Sequence, residues 1–354
     1  MAKSVYDAIA AKLECSPRTV RRVLRGEGKG VRSDHAARAA KIRALAEKMN
    51  YRPNRAASSV RTGRFGAVAL VAGRTGGSYI PYAMLAGIED RLAERKVNLM
   101  FARLGAERLT SPEALPTVLQ EHAVDGLLIN HSNREIAEVE EELTAILKRF
   151  AIPAVWVNGP LKRDCVTPDD RGAARRGTEH LLRLGHARVA FLDVSETDHH
   201  SKAERKRGYR TAMKKAGRPA RVVDDVRMPW VRTSEDRARL VEHLERLLRA
   251  SNRPTAIVAC DVRDATPLLL VAERLGLRAP RDLSVLTFDH SANVDIDLNT
   301  IGIMRIPFGE VGRAAADAVL ERVESPGSSF PTKRIPLEGV VGHLAQPASR
   351  RRRP

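Results

Sequence analysis

The sequence predicts a small all-α helix-turn-helix headpiece followed by a larger α/β body with parallel sheets in two lobes. Charge is one sign of the division: residues 1–64 hold sixteen Lys/Arg against five Asp/Glu, while the rest of the chain is far closer to balance. A second sign is the pair of short helical stretches on either side of Glu14-Cys15. The third is an alternation of short apolar runs with helical stretches from Phe65 onward, which is how βαβ units and parallel sheets read in sequence.

Along the headpiece, Val5 to Leu13 reads as a first helix and Glu14-Cys15 as a tight turn. Ser16-Pro17 reads as an N-cap with proline in the first helical position, where a missing N–H does no harm. The second helix runs to about Leu24. It turns Val20, Val23 and Leu24 inward and Arg18, Arg21, Arg22 and Arg25 outward. Arginine on such a face suits the major groove, because its planar fork donates twice to guanine O6 and N7. A third helix, capped by Ser33 or Asp34, sets Ile42, Leu45, Ala46 and Met49 on one stripe, and Asn50 is placed to end it in the left-handed conformation. Residues 51–63 are too few and too polar for a stable helix alone and are expected to fold only against DNA. The Gly26 to Gly30 stretch lacks the strand and the spacing of a nucleotide cradle and reads as a loop.

In the body, strands are expected at Gly66 to Ala72, Val97 to Arg103, Gly126 to Asn130, Pro153 to Asn158, Arg188 to Asp193, Thr255 to Cys260 and Ser284 to Asp289. Helices are expected near 81–95, 112–122, 139–150, 172–184, 203–216, 234–249 and 263–275. Ligands of such sheets bind beyond the carboxyl ends of strands, where Asp193, Asp261 and Asp289 fall.

The chain resembles the lactose and galactose repressor (LacI/GalR) family of bacterial regulators. Tyr6-Asp7-Ala8-Ile9-Ala10, Ser16 to Leu24 and Tyr51-Arg52-Pro53-Asn54 with Ala57 and Val60 carry the likeness in the headpiece. His180 to His186, Glu204 to Tyr209, Arg253 to Ile257 and Leu283 to Asp289 carry it in the body. The resemblance implies a type I periplasmic-binding-protein-like core whose chain crosses between lobes near 167, 298 and 324. The expected domains are then a headpiece over 1–50, a hinge over 51–63, a core over 64–345 and a basic tail over 346–354. Within the core, the first lobe takes 64–167 and 299–324, and the second takes 168–298 and 325–345, with a final strand Lys333 to Val340 rejoining the second lobe.

The resemblance also implies roles. Pro17, Arg18 and Arg22 match positions that face base edges, Ser16, Thr19 and Asn54 match positions that hold the DNA backbone, and Val60 matches a minor-groove wedge that is usually leucine. Tyr6, Arg21, Ala57 and Arg61 complete the expected DNA-binding set. Arg205 matches an effector-binding arginine and Asp289 its acidic partner, while Asp261 matches the acid of a motif in which asparagine is usual at Cys260. Arg74, Tyr79 and Asp170 are further candidates, and Trp230 and Phe308 are placed to cover the apolar face of a sugar ring. Glu14 stands where a turn glycine is usual and Arg21 where serine is.

The implied protein is a cytoplasmic, allosteric transcriptional regulator that binds a pseudo-palindromic double-stranded operator as a homodimer and senses a small sugar-like effector. No cofactor, metal or membrane partner is expected. The longest apolar runs stop well short of the roughly 18 residues a membrane helix needs, and the three cysteines, Cys15, Cys165 and Cys260, show no C-x-x-C spacing. Hydrolase and nucleotide-binding motifs are missing, and Asp198-His199-His200 reads as a polar loop without metal spacing. The competing expectation is a sugar-binding receptor module with no regulatory role.

Overall fold

Ser4 opens the first helix by accepting the amide of Asp7 on its hydroxyl, and α1 (Val5–Lys12) runs into a turn in which Glu14 takes a positive φ of 46°. Ser16 caps α2 (Pro17–Leu24): its Oγ accepts the Thr19 amide at 3.1 Å. α3 (Ser33–Lys48) includes both expected caps, Ser33 and Asp34, within the helix, and the residue before it lies outside the described residues. Asn50 ends this helix with φ 50°, and the Tyr51 amide reaches back to the Ala46 carbonyl at 2.9 Å. Ile9, Ala10, Val20, Ile42 and Ala46 are buried together, with Val23, Leu24, Leu45 and Met49 packed around them.

The computed structural model describes residues 4–24, 33–51, 63–73, 80–104, 116–117, 121, 123–131, 134–196, 199–229, 233–289 and 300–345. The chain divides into two compact units, Met1–Gly66 and Ala67–Pro354. The expected hinge segment and the expected helix at 112–122 lie almost wholly outside the described residues.

The second unit holds two six-stranded sheets. The first contains β1 (Ala67–Gly73), β2 (Asn98–Leu104), β3 (Gly126–Asn130), β4 (Ala154–Val157) and β5 (Cys165–Pro168). The second contains β6 (Val189–Leu192), β7 (Arg221–Val223), β8 (Ala256–Ala259), β9 (Ser284–Asp289) and β10 (Gly302–Arg305). Between the strands run α4 (Tyr82–Glu94), α5 (Arg134–Glu138), α6 (Glu140–Arg149), α7 (Asp170–Arg183), α8 (His200–Lys215), α9 (Ser234–Arg249) and α10 (Val262–Arg274), and α11 (Phe308–Glu324) follows β10. All strand pairs named so far are parallel, and β1, β3, β6 and β8 are buried along their whole length, as sheets covered by helices on both faces require.

Two expectations about the lobes are corrected. The crossing expected near 298 comes later, because β10 pairs with β9 in the second sheet, with Gly302 opposite Leu286. The strand expected over Lys333 to Val340 is two strands in different sheets. One, β11 (Lys333–Ile335), lies parallel to β5 in the first sheet, and β12 (Val340–Gly342) lies antiparallel to β10 in the second. Pro336, which has no N–H to give a ladder, and Gly339 separate them. The third crossing therefore falls between 335 and 340 instead of near 324.

Candidate DNA-reading face and effector cleft

In the headpiece, the outer face of α2 carries Arg18, Arg21 and Arg22, all exposed, with Pro17 and Thr19 at its N-terminal end. The Ser16 and Thr19 hydroxyls lie 2.9 Å apart. Tyr6 and Tyr51 join α1 to the end of α3 through hydroxyls 2.6 Å apart and an edge-to-face ring contact. The guanidinium of Arg21 sits 5.0 Å from the Tyr6 ring centre, a cation–π contact that fixes one of the three arginines against the fold. Asn54, Ala57, Val60 and Arg61 lie outside the described residues.

In the second unit, polar groups stand at and beyond the strand ends of both sheets, where an effector cleft is expected. Asp170, first residue of α7, and Arg205 on α8 are both buried and paired: Arg205 Nε and Nη2 each lie 2.7 Å from Asp170 Oδ1. Arg205 Nη1 donates to the Cys260 carbonyl at 2.7 Å, and its guanidinium lies 4.4 Å from the Phe288 ring centre. Burial works against its charge, but Asp170 and its other neighbours outweigh that and raise its pKa. Gly208 permits this geometry, since a Cβ there would stand 2.2 Å from the Arg171 carbonyl oxygen.

Asp261 follows β8 and caps α10, and its carboxylate is engaged by the Arg263 amide at 2.7 Å and the Arg263 guanidinium at 2.5 Å. Asp289, half-buried at the end of β9, stands opposite Arg305 of β10. Phe308 begins α11 with its ring buried in the core cluster, which makes it packing for the cleft wall and no open platform for a sugar ring. Arg74, Tyr79 and Trp230 lie outside the described residues.

Sequence reasoning placed Asp193 at a strand end but not its partners, and it missed the packing of three histidines nearby. Asp193 is buried between Lys202 at 2.5 Å and Lys206 at 3.2 Å. Asp193, Cys260 and Asp264 bring ligand atoms within 4.8 Å of one another, and Asp193 is already paired with the Lys202 ammonium. Burial raises the Cys260 thiol well above its ordinary pKa. His199 and His200, read as a polar loop, form the start of α8 with rings 4.4 Å apart. His200 Nε2 donates to the Asn158 carbonyl at 3.0 Å, linking α8 to the end of β4. At the end of β3, His131 is buried, with Nε2 2.5 Å from Glu140 and its ring edge-to-face with Trp156. The adjacent His-His pair was the available signal, but only tertiary packing shows that both are half-buried and that His199 Nε2 is shielded.

A three-helix basic headpiece joined to a two-sheet, periplasmic-binding-protein-like body defines a class of regulator architecture. Comparison with known proteins agrees. The periplasmic binding protein-like domain family matches residues 178–343. The chain is 27% identical over 359 residues to the HTH-type transcriptional regulator DegA of Bacillus subtilis, covering 98% of this chain and 99% of that one. It is 24% identical to the ribose operon repressor of Haemophilus influenzae, over 82% of this chain and 85% of the other. Among solved structures, the lac repressor dimer bound to operator and the anti-inducer ONPF superposes with a TM-score of 0.69 at 18% identity, covering 98% and 100% of the two chains. The regulator CelR in complex with cellobiose gives 0.59 at 22% identity, covering 96% and 98%. The chain is thus similar over nearly its whole length to transcriptional regulators of the LacI family.

Proposed function

We propose that this chain is a sequence-specific DNA-binding transcriptional repressor of the bacterial cytoplasm, controlled by a small sugar-like molecule. The single observation that carries the reading is the exposed arginine face of α2, held on a packed three-helix core. Arg18 and Arg22 are assigned to base edges, and Ser16, Thr19 and Asn54 to the DNA backbone. Tyr6 and Arg21 are assigned to the rim of that face, and Ala57, Val60 and Arg61 to the hinge over 51–63. Asp170, Arg205, Asp261 and Asp289 are assigned to the effector cleft, with Arg74, Tyr79 and Trp230 around it. The receptor-module reading has no use for the arginine face.

A homodimer is part of the proposal. One headpiece reads only a few base pairs, and two-fold protein symmetry imposes two-fold symmetry on the operator. Apolar side chains exposed on both lobes favour it: Tyr82 is 81% and Phe101 58% exposed on the first, and Leu270 59% on the second, beside a groove of about 780 Å3 between α9 and α10. No helix among the described residues is long and apolar enough to cross a membrane.

Selection of bound sequences from a random DNA pool, followed by footprinting, tests the reading. A paired, inverted half-site is the expected result. Binding of equal strength to every sequence at physiological salt, or a footprint over one unrepeated half-site, would overturn it.

A further inference from the structure

The amino end of the second sheet is strongly basic. Helices α7, α8, α9 and α10 each return there before β6, β7, β8 and β9. Taken from the last helix residue to the first strand residue, the four returns are 183–189, 215–221, 249–256 and 274–284. They hold ten Lys/Arg and one acid, Asp282. After β12 the chain comes back to the same pole. There the His343 amide donates to the Ile301 carbonyl at 3.0 Å, the Ala345 amide donates to Ser284 Oγ at 3.1 Å, and His186 Nε2 lies 2.7 Å from the Ala345 carbonyl oxygen. Arg350 to Arg353 follow, and five residues at about 3.5 Å each keep Arg350 within about 18 Å of Ala345. With 343–354 included, the pole carries fourteen Lys/Arg against one acid, whereas the rest of residues 65–354 carries thirty-one against thirty-seven. A one-sign field on an otherwise acidic body is the electrostatic footprint of a phosphate-binding face.

The fold neutralises only part of this charge. Arg183, Arg218, Arg249 and Arg278 are exposed, and none is in an ion pair among the described residues. Lys215, Arg274 and Arg281 face acids at 3.6, 3.6 and 2.8 Å, yet each remains 64% or more exposed. Nine of the ten cations in the returns are arginine, whose fork pairs bidentately with phosphate oxygens. None of the large apolar side chains exposed among the described residues falls in the returns, so the surface lacks what seats a protein in a lipid interface.

Its place in the fold sets it apart from the headpiece. The His200 to Asn158 bond joins the residue after β4 to the start of α8, so the carboxyl ends of the two sheets face each other and their amino ends point outward. The chain enters the larger unit at Ala67, the amino end of β1. The basic pole is therefore at the far end of that unit from the entry point.

We propose that this pole is a second nucleic-acid surface, a sequence-independent dock for the phosphates of duplex DNA, through which one protein holds two duplex segments at once. The proposal goes beyond the regulator reading and does not depend on it, because the pole grips a duplex whether or not α2 reads an operator.

Lysine acetylation of the full chain, read by mass spectrometry, maps the surface. A random-sequence duplex of about 30 base pairs is expected to slow modification of Lys214 and Lys215 threefold or more, less so as salt rises, and to leave Lys333 of the first sheet unchanged. The protection should persist in Arg22→Ala, which separates the pole from the headpiece. Beads that carry one duplex and are saturated with protein are then expected to capture a second, labelled duplex. A variant with Arg218→Glu, Arg249→Glu and Arg278→Glu, and with Arg350 to Arg353 each replaced by serine, should unfold as the wild type does and capture tenfold less per bound protein. Unprotected lysines at the pole, or equal capture by that variant, overturn the proposal. So does protection by phosphatidylglycerol vesicles where the duplex gives none, which would make the pole a membrane contact. Protection that vanishes in Arg22→Ala would place the DNA on the headpiece alone, and protection without capture of a second duplex would refute bridging.

Discussion

Arg205 and Asp170 form a buried ion pair at 2.7 Å between α8 and α7, and this pair ties the proposed effector cleft to the stability of the second lobe. Removing one partner of such a pair leaves an uncompensated buried charge and costs about 3–5 kcal/mol. Arg205→Ala should therefore lower the unfolding midpoint of the second unit as well as the effector response, which makes it a poor test of sensing alone. Asp289→Ala, at a half-buried strand end, is the cleaner variant. It should blunt the change in operator affinity on adding effector while shifting the thermal midpoint much less than Arg205→Ala. Equal thermal shifts in the two variants would contradict this assignment.

Gly208 sets the approach of the same two helices. A methyl group there would meet the Arg171 carbonyl at 2.2 Å and the Ala174 side chain at 2.9 Å, so α8 must move away from α7. Overpacking of this kind costs about 1–3 kcal/mol, and Gly208→Ala should lose that much in urea denaturation. Thr211→Ala, whose hydroxyl is exposed near the same helix face, serves as the control and should change little. Comparable losses in both would show that the close approach is not limiting.

Arg22→Ala removes an exposed guanidinium from the outer face of α2 without touching the headpiece core. If Arg22 donates to a base edge, operator affinity should fall by about 1–3 kcal/mol and discrimination should relax at one base position in each half-site. Loss of the same size on operator and on random DNA would reduce Arg22 to a phosphate contact.

The headpiece and the order of strands were legible because their signals are local. Ser16-Pro17 marks the start of α2 through capping chemistry, and Ile42, Leu45, Ala46 and Met49 mark the inner stripe of α3 through spacing alone. The strands β3 and β9 and the helix α9 fall where the sequence pattern places them. By contrast, β10 is four residues long and is a strand only because β9 lies beside it, and β11 and β12 are told apart by the sheets they join. The cleft shows the same limit. Asp170 and Arg205 were each visible as polar candidates, but their pairing depends on a helix approach set at Gly208, and the shielding of His199 Nε2 is not encoded in its neighbours.

Glu14 occupies the turn between α1 and α2 with φ 46° and an exposed side chain. A residue with a Cβ pays about 1–2 kcal/mol to sit in the left-handed region, and glycine escapes that cost at the expense of a looser unfolded chain. Glu14→Gly should stabilise the headpiece by about 1 kcal/mol. Amide exchange at Ile9, Ala10 and Val20 in the full chain should slow several-fold; faster exchange at all three would refute the strain argument.

The pH dependence of stability should carry two opposing slopes from the cleft. Burial, with the Asp261 carboxylate next, pushes the Asp264 carboxyl up to about 7, even though its Oδ1 accepts the Val194 and Ser195 amides at 3.2 and 2.9 Å. A carboxyl whose pKa is higher in the folded chain holds its proton there while the unfolded chain has released it. Its contribution to stability is therefore fully present at acid pH and is lost as pH rises from about 4 toward about 7. His199 and His200 act in the opposite sense, since burial lowers both below the ordinary histidine value. They stay neutral in the folded chain while the unfolded chain takes up protons, so their contribution is present above about 6.5 and is lost as pH falls below it. Asp264→Asn should remove the first slope only. Its midpoint, compared with that of the wild type, should be lowest relative to wild type at pH 5 and should recover as pH approaches 8. Asn keeps an oxygen for the Val194 and Ser195 amides but gives up the carboxylate oxygen that the Asp261 amide meets at 3.2 Å, so a pH-independent loss is expected beneath that trend. Thermal unfolding of both proteins from pH 5 to 8 reads the difference directly, and a constant offset across the range would mean that Asp264 does not hold a proton in the folded chain.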